Sequence, residues 1–162
     1  MNRKTLTYYI LIAALTLAAT MPAFGQNEPA PADKDLQPGS PVLMQPGELA
    51  RLLKSSGGAK PLVFFVGPRA FYQQAHVPGA EFLGPTARPE GLEKLRARAA
   101  ALPRDRSIVI YCGCCPWIDC PNIHPAYNEL KKMGFTRLRV LYLENSFGTN
   151  WAEKGYPVEK GS

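Results

Sequence analysis

Apolar and polar positions alternate in blocks along most of the chain. "PVLM" at Pro41–Met44 is a short apolar run and is predicted as a strand. "PGELARLLKSSGG" opens on Pro46, places Leu49, Leu52 and Leu53 on one face and closes on Gly57-Gly58, which predicts a helix with start and stop signals. "PLVFFVG" is a continuous apolar run between Pro61 and Gly67, the pattern of a strand covered on both faces. "PRAFYQQ" reads as a short helix, "HVPGA" as a turn, "EFLG" as a brief strand and "PEGLEKLRARAAALP" as a charged surface helix. "RSIVIY" is a second buried strand and runs directly into Cys112. "PAYNELKKMGF" predicts a helix with Ala126, Tyr127, Leu130 and Met133 inward and Gly134 as its C-cap. "LRVLYL" is a strand, and "TNWAEKGYPV" a final helix and turn with Trp151 in the core. Strands alternating with helices predict an α/β fold, a central and mostly parallel sheet flanked by helices on both faces. Such sheets bind ligands at the carboxyl ends of their strands, which is where Cys112 falls.

The N-terminus departs from this pattern. Arg3 and Lys4 precede an apolar run, Leu6 to Ala19, and Ala23 and Gly25 place small residues before Gln26. That is the layout of a cleaved secretory signal over residues 1–25. The run is short for a membrane span of roughly 20 residues, so no stable membrane insertion is expected after cleavage. The expected location is periplasmic or secreted. Removal of Arg3 and Lys4 lowers the formal net charge from +6 to +4. No basic block with interleaved aromatics appears, so nucleic acid is not an expected partner. Residues 26–40, rich in Pro, Asp and Gln, read as a flexible linker. Residues 41–158 are of single-domain size, and 159–162 form a short C-terminal tail.

The chemistry concentrates in "YCGCCPWIDCPNIHPAY", Tyr111 to Tyr127, which holds all four cysteines and one of the two histidines of the chain. A thiol at a strand end, followed by a loop into a helix, faces several backbone N–H groups, and such a nest stabilises a thiolate. Gly113 lets the chain turn closely behind Cys112. Gly113, Cys114 and Cys115 offer N–H donors. Pro116 interrupts the series, and Trp117 and Ile118 resume it.

Three pieces, in order along the chain, resemble one family. "AHVPGAEFL" is similar to a conserved turn of rhodanese-like domains, "SIVIYC" to the strand that delivers their active-site cysteine, and "LKKMGFTRLRVLYLENSFGTNWAEKGYPV" to their closing helix, strand and W-x-x-x-G-Y-P-V segment. The resemblance implies an activity. A cysteine takes sulfane sulfur from a small donor or a protein persulfide, becomes a persulfide and passes the sulfur to a thiol acceptor. By position Cys112 is that cysteine, with Gly113, Cys114, Cys115, Trp117 and Ile118 in the substrate-binding loop. No cofactor is called for, and this reading assigns no metal.

The loop departs from the family pattern in two ways. It is longer than usual, and Trp117 stands where an Arg is usual. No Lys or Arg occurs between Cys112 and His124. The segments that usually read D-V-R and Gly-Gly are Phe65-Val66-Gly67 and Ser146-Phe147 here. Thiosulfate, a dianion, would be held by backbone dipoles alone, with help from a protonated His124. The missing Arg also argues against phosphatase chemistry.

Three readings compete for the remaining cysteines. Cys115, which forms C-x-x-C with Cys112, and Cys120 are candidate redox partners that resolve a persulfide or cycle as a disulfide. Alternatively the cysteines with His124 bind zinc or copper(I), in a Cys-rich module that holds a soft metal or a partner protein. In the third reading a Cys115–Cys120 disulfide staples the loop around Trp117. His76 reads as the histidine that holds its turn, Trp117 as a cover for the thiol, and Tyr111 as packing beneath the loop. The signal pattern predicts a mature chain that begins at Gln26. N-terminal sequencing of protein from the periplasmic fraction reads this directly, and a chain that keeps Met1 contradicts it.

Overall fold

The structure is a computed structural model that describes residues 34–58 and 60–161. The predicted signal segment and the first part of the predicted linker lie outside the described residues. Five strands form one sheet: β1 (Leu43–Met44), β2 (Leu62–Phe65), β3 (Glu81–Phe82), β4 (Ile108–Tyr111) and β5 (Leu138–Leu141). Their order is β1-β5-β4-β2-β3, and every pairing is parallel. The helices are α1 (Pro46–Lys54), α2 (Arg69–Gln74), α3 (Pro89–Ala100) and α4 (Ile123–Lys132).

Strand periodicity divides the core into two halves. Along β4 all four side chains are fully buried. Ile108 and Ile110 enter the half that holds Leu95 and Ala99 of α3 and Ile123, Ala126 and Leu130 of α4. Val109 and Tyr111 enter the half that holds Leu49 of α1, Tyr72 of α2 and Trp151. Helices therefore cover both faces, as the pattern predicts. Cys112 continues the alternation and lies with Ile108 and Ile110 on the α3/α4 side.

Tyr111 is thus not beneath the cysteine loop, as expected from sequence, but across the sheet from it. Its ring packs edge-on against Phe65 at 5.2 Å between centroids. Its hydroxyl accepts a hydrogen bond from the Val77 N–H at 2.9 Å. A buried N–H left without a partner costs about 1–3 kcal/mol, so the phenol secures the turn in "HVPGA" to β4. Burial pushes the phenol upward, and it stays a neutral hydroxyl. His76 stacks on Tyr72 at 3.8 Å, and its Nδ1 donates to the Tyr72 carbonyl at 2.7 Å.

Element ends differ from the pattern for local reasons. Helix α1 stops at Lys54 instead of at Gly57-Gly58, because Ser55 turns extended and its hydroxyl donates to the Leu52 carbonyl at 2.8 Å. Its buried face is Leu49 and Ala50 with Leu53 partly covered, while Leu52 is exposed. At 100° per residue Leu52 falls well off the axis of that face. Helix α4 begins at Ile123, two residues before the predicted Pro125, because a proline is tolerated within the first turn. The packed chain also extends past both predicted boundaries. Leu36, within the predicted linker, is buried in the α3/α4 half, and Asp35 accepts from the Tyr127 hydroxyl at 2.8 Å and from Lys131. Burying a leucine stabilises by about 1.5–3 kcal/mol, which offsets part of the cost of ordering this segment. In the predicted tail, Glu159 pairs with the His76 backbone and its carboxylate accepts from the Gly79 N–H. Among the described residues no helix is long and apolar enough to cross a membrane.

Candidate functional site

Cys112 emerges at the carboxyl end of β4 and is almost wholly buried, with 2% of its surface exposed. Its position imposes glycine at two neighbours. A Cβ on Gly67, just past β2, would lie 2.9 Å from the Cys112 Sγ, so a side chain there would displace the sulfur. Gly113 has φ +76, and a Cβ on it would meet the Phe147 Cβ at 2.8 Å. The left-handed turn at Gly113 is what folds the loop back over the strand end. The Gly113 carbonyl then accepts from the Phe147 N–H at 3.0 Å, which ties the loop to the segment after β5.

That turn brings the sulfurs together. Cys112 Sγ lies 3.1 Å from Cys114 Sγ, and Cys114 Sγ lies 3.4 Å from Cys115 Sγ. Cys120 closes the group with contacts to both Cys112 and Cys115. All four are free thiols, so the Cys115–Cys120 staple is not formed here. Cys112, Cys114 and Cys115 have their sulfurs within 4.8 Å of one another, a spread that also suits a soft ion held by thiolates.

The nearest polar side chain is one that the sequence did not single out. Asn122, just before α4, is buried, and its Nδ2 donates to Cys112 Sγ at 3.3 Å. Its Oδ1 accepts from the Ala87 N–H at 3.0 Å, and its carbonyl accepts from the Thr86 hydroxyl at 2.5 Å. Thr86 is fully buried, so the amide is held from both ends and its N–H bonds are aimed at the sulfur. His124, which was expected to assist, is exposed on the first turn of α4.

The backbone nest is smaller than expected. The Cys114 N–H reaches the Cys112 sulfur. The Trp117 N–H instead donates to the Glu144 carbonyl at 2.9 Å, because Trp117–Asp119 form a 3-10 turn that docks on the segment after β5. The Trp117 indole packs edge-on against Tyr142 at 5.1 Å. It helps enclose a space of about 10 Å³ beside Cys112 and Cys120, so this side of the thiol is covered. Ile118, on the same turn, is 87% exposed.

The other side of the thiol is open. A cavity of about 270 Å³ reaches Cys112 and Cys114, walled by Phe65, Phe71, Phe147 and Ala152 with Gln74 and Ser146 at its polar points. No Lys, Arg, Asp or Glu lines it.

Within the cluster burial and hydrogen bonding favour the proton on Cys112 and negative charge on Cys114 and Cys120. Hydrogen bonds to Cys114 and Cys120, reinforced by burial, raise the Cys112 thiol. The hydrogen bond from Cys112 lowers Cys114 to about 6, and Cys114 is half-buried. The same interaction, aided by the N–H groups of Asn122 and Ile123, lowers Cys120 to about 7. Burial, with the hydrogen bond to Cys114, raises Cys115 to about 12. The sequence predicts a resting thiolate at Cys112. The 3.1 Å contact lets either sulfur hold the shared proton, and burial with hydrogen bonding favours it on Cys112 beside a Cys114 thiolate.

A labelling experiment follows from this distribution. A lowered thiol is anionic above its pKa and loses that charge as pH falls through it, here near 6. At that pH half of Cys114 is thiolate, against well under ~1% of an ordinary thiol, and its lower intrinsic nucleophilicity offsets about a factor of ten of this advantage. Iodoacetamide at pH 6 is expected to label Cys114 first, about tenfold faster than an ordinary cysteine. Peptide fragmentation locates the label, and first labelling at Cys115, or a rate that rises only near pH 8.5, contradicts the assignment.

The comparisons agree with this architecture. The family model of the Rhodanese-like domain matches residues 46–153. No curated protein gives a significant match. Among solved structures, the Alr3790 protein from Anabaena sp. aligns at 24% identity and a TM-score of 0.54, over 73% of this chain and 92% of that one. BH2092 protein from Bacillus halodurans aligns at 21% identity and 0.54, over 74% and 77%. Thiosulfate sulfurtransferase from Pseudomonas aeruginosa aligns at 21% identity and 0.52, over 74% of this chain but only 20% of that longer one. The fold, the strand that ends at Cys112 and the family match together place this chain in the rhodanese-like domain family.

Proposed function

We propose that the protein is an exported sulfurtransferase in which Cys112 accepts sulfane sulfur as a persulfide and passes it to a thiol acceptor. The observation that carries the reading is Cys112 at the floor of an apolar cavity, at the strand end, with a neighbouring thiolate able to take its proton. Proton transfer to Cys114 generates the Cys112 thiolate when a donor arrives. That thiolate attacks the sulfane sulfur, and the donor's remaining portion leaves with the electron pair of the broken bond. Asn122 and the Cys114 N–H hold the attacking sulfur in place. The apolar walls exclude water from the persulfide.

The same cavity selects against dianions. No cationic side chain lines it, and the Cys114 thiolate repels negative charge. A hydrogen bond to a charged group contributes about 1.5–3 kcal/mol. At about 1.4 kcal/mol per factor of ten, lack of one cationic contact weakens thiosulfate use by about ten- to a hundredfold. A small persulfide, or a protein persulfide docked at the cavity mouth beside the exposed Phe71, loses less. The expected outcome is a higher kcat/KM for a small persulfide than for thiosulfate on one reduced preparation. A clear preference for thiosulfate contradicts the proposal.

A further inference from the structure

We infer that Cys114 is a resolving cysteine, and that it converts the Cys112 persulfide into a Cys112–Cys114 disulfide with release of hydrogen sulfide. This rests on sulfur acceptance at Cys112 and adds a second outcome for the bound sulfur. The observation behind it is the 3.1 Å contact between the two sulfurs across a single glycine. Residues two apart in an extended strand point the same way with their side chains well separated. Here the positive φ of Gly113 turns the chain so that they converge. Closing 3.1 Å to the roughly 2.05 Å of a disulfide needs about 1 Å of motion. Cys114 is also the partly exposed member of the pair and shares the open cavity with Cys112. A thiol reductant can therefore reach it. The spacing C-x-x-C points to Cys115, and Cys120 also contacts Cys112. The turn at Gly113 favours neither.

The step balances. The Cys112 thiolate attacks the outer sulfur of a persulfide, R–S–SH, and expels R–S⁻, which takes the proton held on Cys114 and leaves as R–SH. The Cys114 thiolate then attacks the Cys112 Sγ, the inner sulfur of the new persulfide and the atom it already touches. The inner–outer S–S bond breaks, and the outer sulfur departs with the electron pair as HS⁻. The sulfane sulfur is reduced to sulfide, and the two thiols are oxidised to a disulfide. An external dithiol reductant returns the pair to its starting state.

The experiment adds one equivalent of a small persulfide to the reduced protein and follows intact mass and free sulfide. The wild type is expected to release about one sulfide per chain and to end two hydrogens lighter. Alkylation of the product should label Cys115 and Cys120 and leave Cys112 and Cys114 unlabelled. Cys114→Ser, with Cys114→Ala as a second variant, lacks the base that frees Cys112 and is expected to take up sulfur more slowly, then, once loaded, to hold the mass gain of one sulfur atom and to release sulfide on the order of a hundredfold more slowly than the loaded wild type. A wild type that holds the added sulfur without releasing sulfide overturns the inference. So does a Cys114 variant that releases sulfide at the wild-type rate, a disulfide at Cys120, or the extra sulfur residing on Cys114. If neither wild type nor variant ever gains sulfur or releases sulfide, sulfur acceptance at Cys112 fails together with the inference.

Discussion

The site depends on the two-residue alternation of β4 carried one position beyond the strand. Ile108 and Ile110 lie on the α3/α4 side of the sheet, and Cys112 follows them there. A shift of one residue would place the thiol with Tyr111 in the opposite half, among aromatic rings and far from Asn122. The register is fixed by burial on both faces. Every side chain of β4 is covered, so a one-residue slip would exchange the residues of the two halves and misfit both.

Given that placement, the neighbours are constrained to be small or polar in specific ways. Gly67 leaves room for the sulfur, and Gly113 turns back beneath Phe147. Thr86 and the Ala87 N–H hold the Asn122 amide, and that amide donates to the sulfur. What the loop lacks is a fixed cation. Hydrogen bonding lowers the Cys114 and Cys120 thiols, so any charge in the cluster is favoured on sulfur beside N–H groups and the Cys112 thiol. The proposed preference for persulfides over inorganic dianions rests on this absence of a cation from the cavity lining.

The fold was legible because β2 and β4 are continuous apolar runs between breakers, and because α4 carries its inward residues at helical spacing. The cysteine at the end of β4 was legible for the same reason. Asn122 was not. An asparagine ahead of a helix reads as a cap, yet here its side chain turns away from the helix end toward a sulfur ten positions earlier in the chain. The contact of Cys114 with Cys112 was hidden by spacing. C-x-x-C is a familiar dithiol pattern, whereas the convergence of Cys112 and Cys114 depends on one positive φ that a sequence states only as a glycine. Tyr111 misled because a strand end seems to belong to the loop beyond it, while the pleat sends its side chain to the other face.

In the proposed mechanism incoming sulfur is first bonded to Cys112. Time-resolved quenching of the wild-type protein after addition of a small persulfide, followed by peptide fragmentation, locates the sulfur at the earliest resolvable time. The expected position is Cys112, the thiol 2% exposed at the cavity floor. Sulfur found first on Cys114, Cys115 or Cys120 would contradict it.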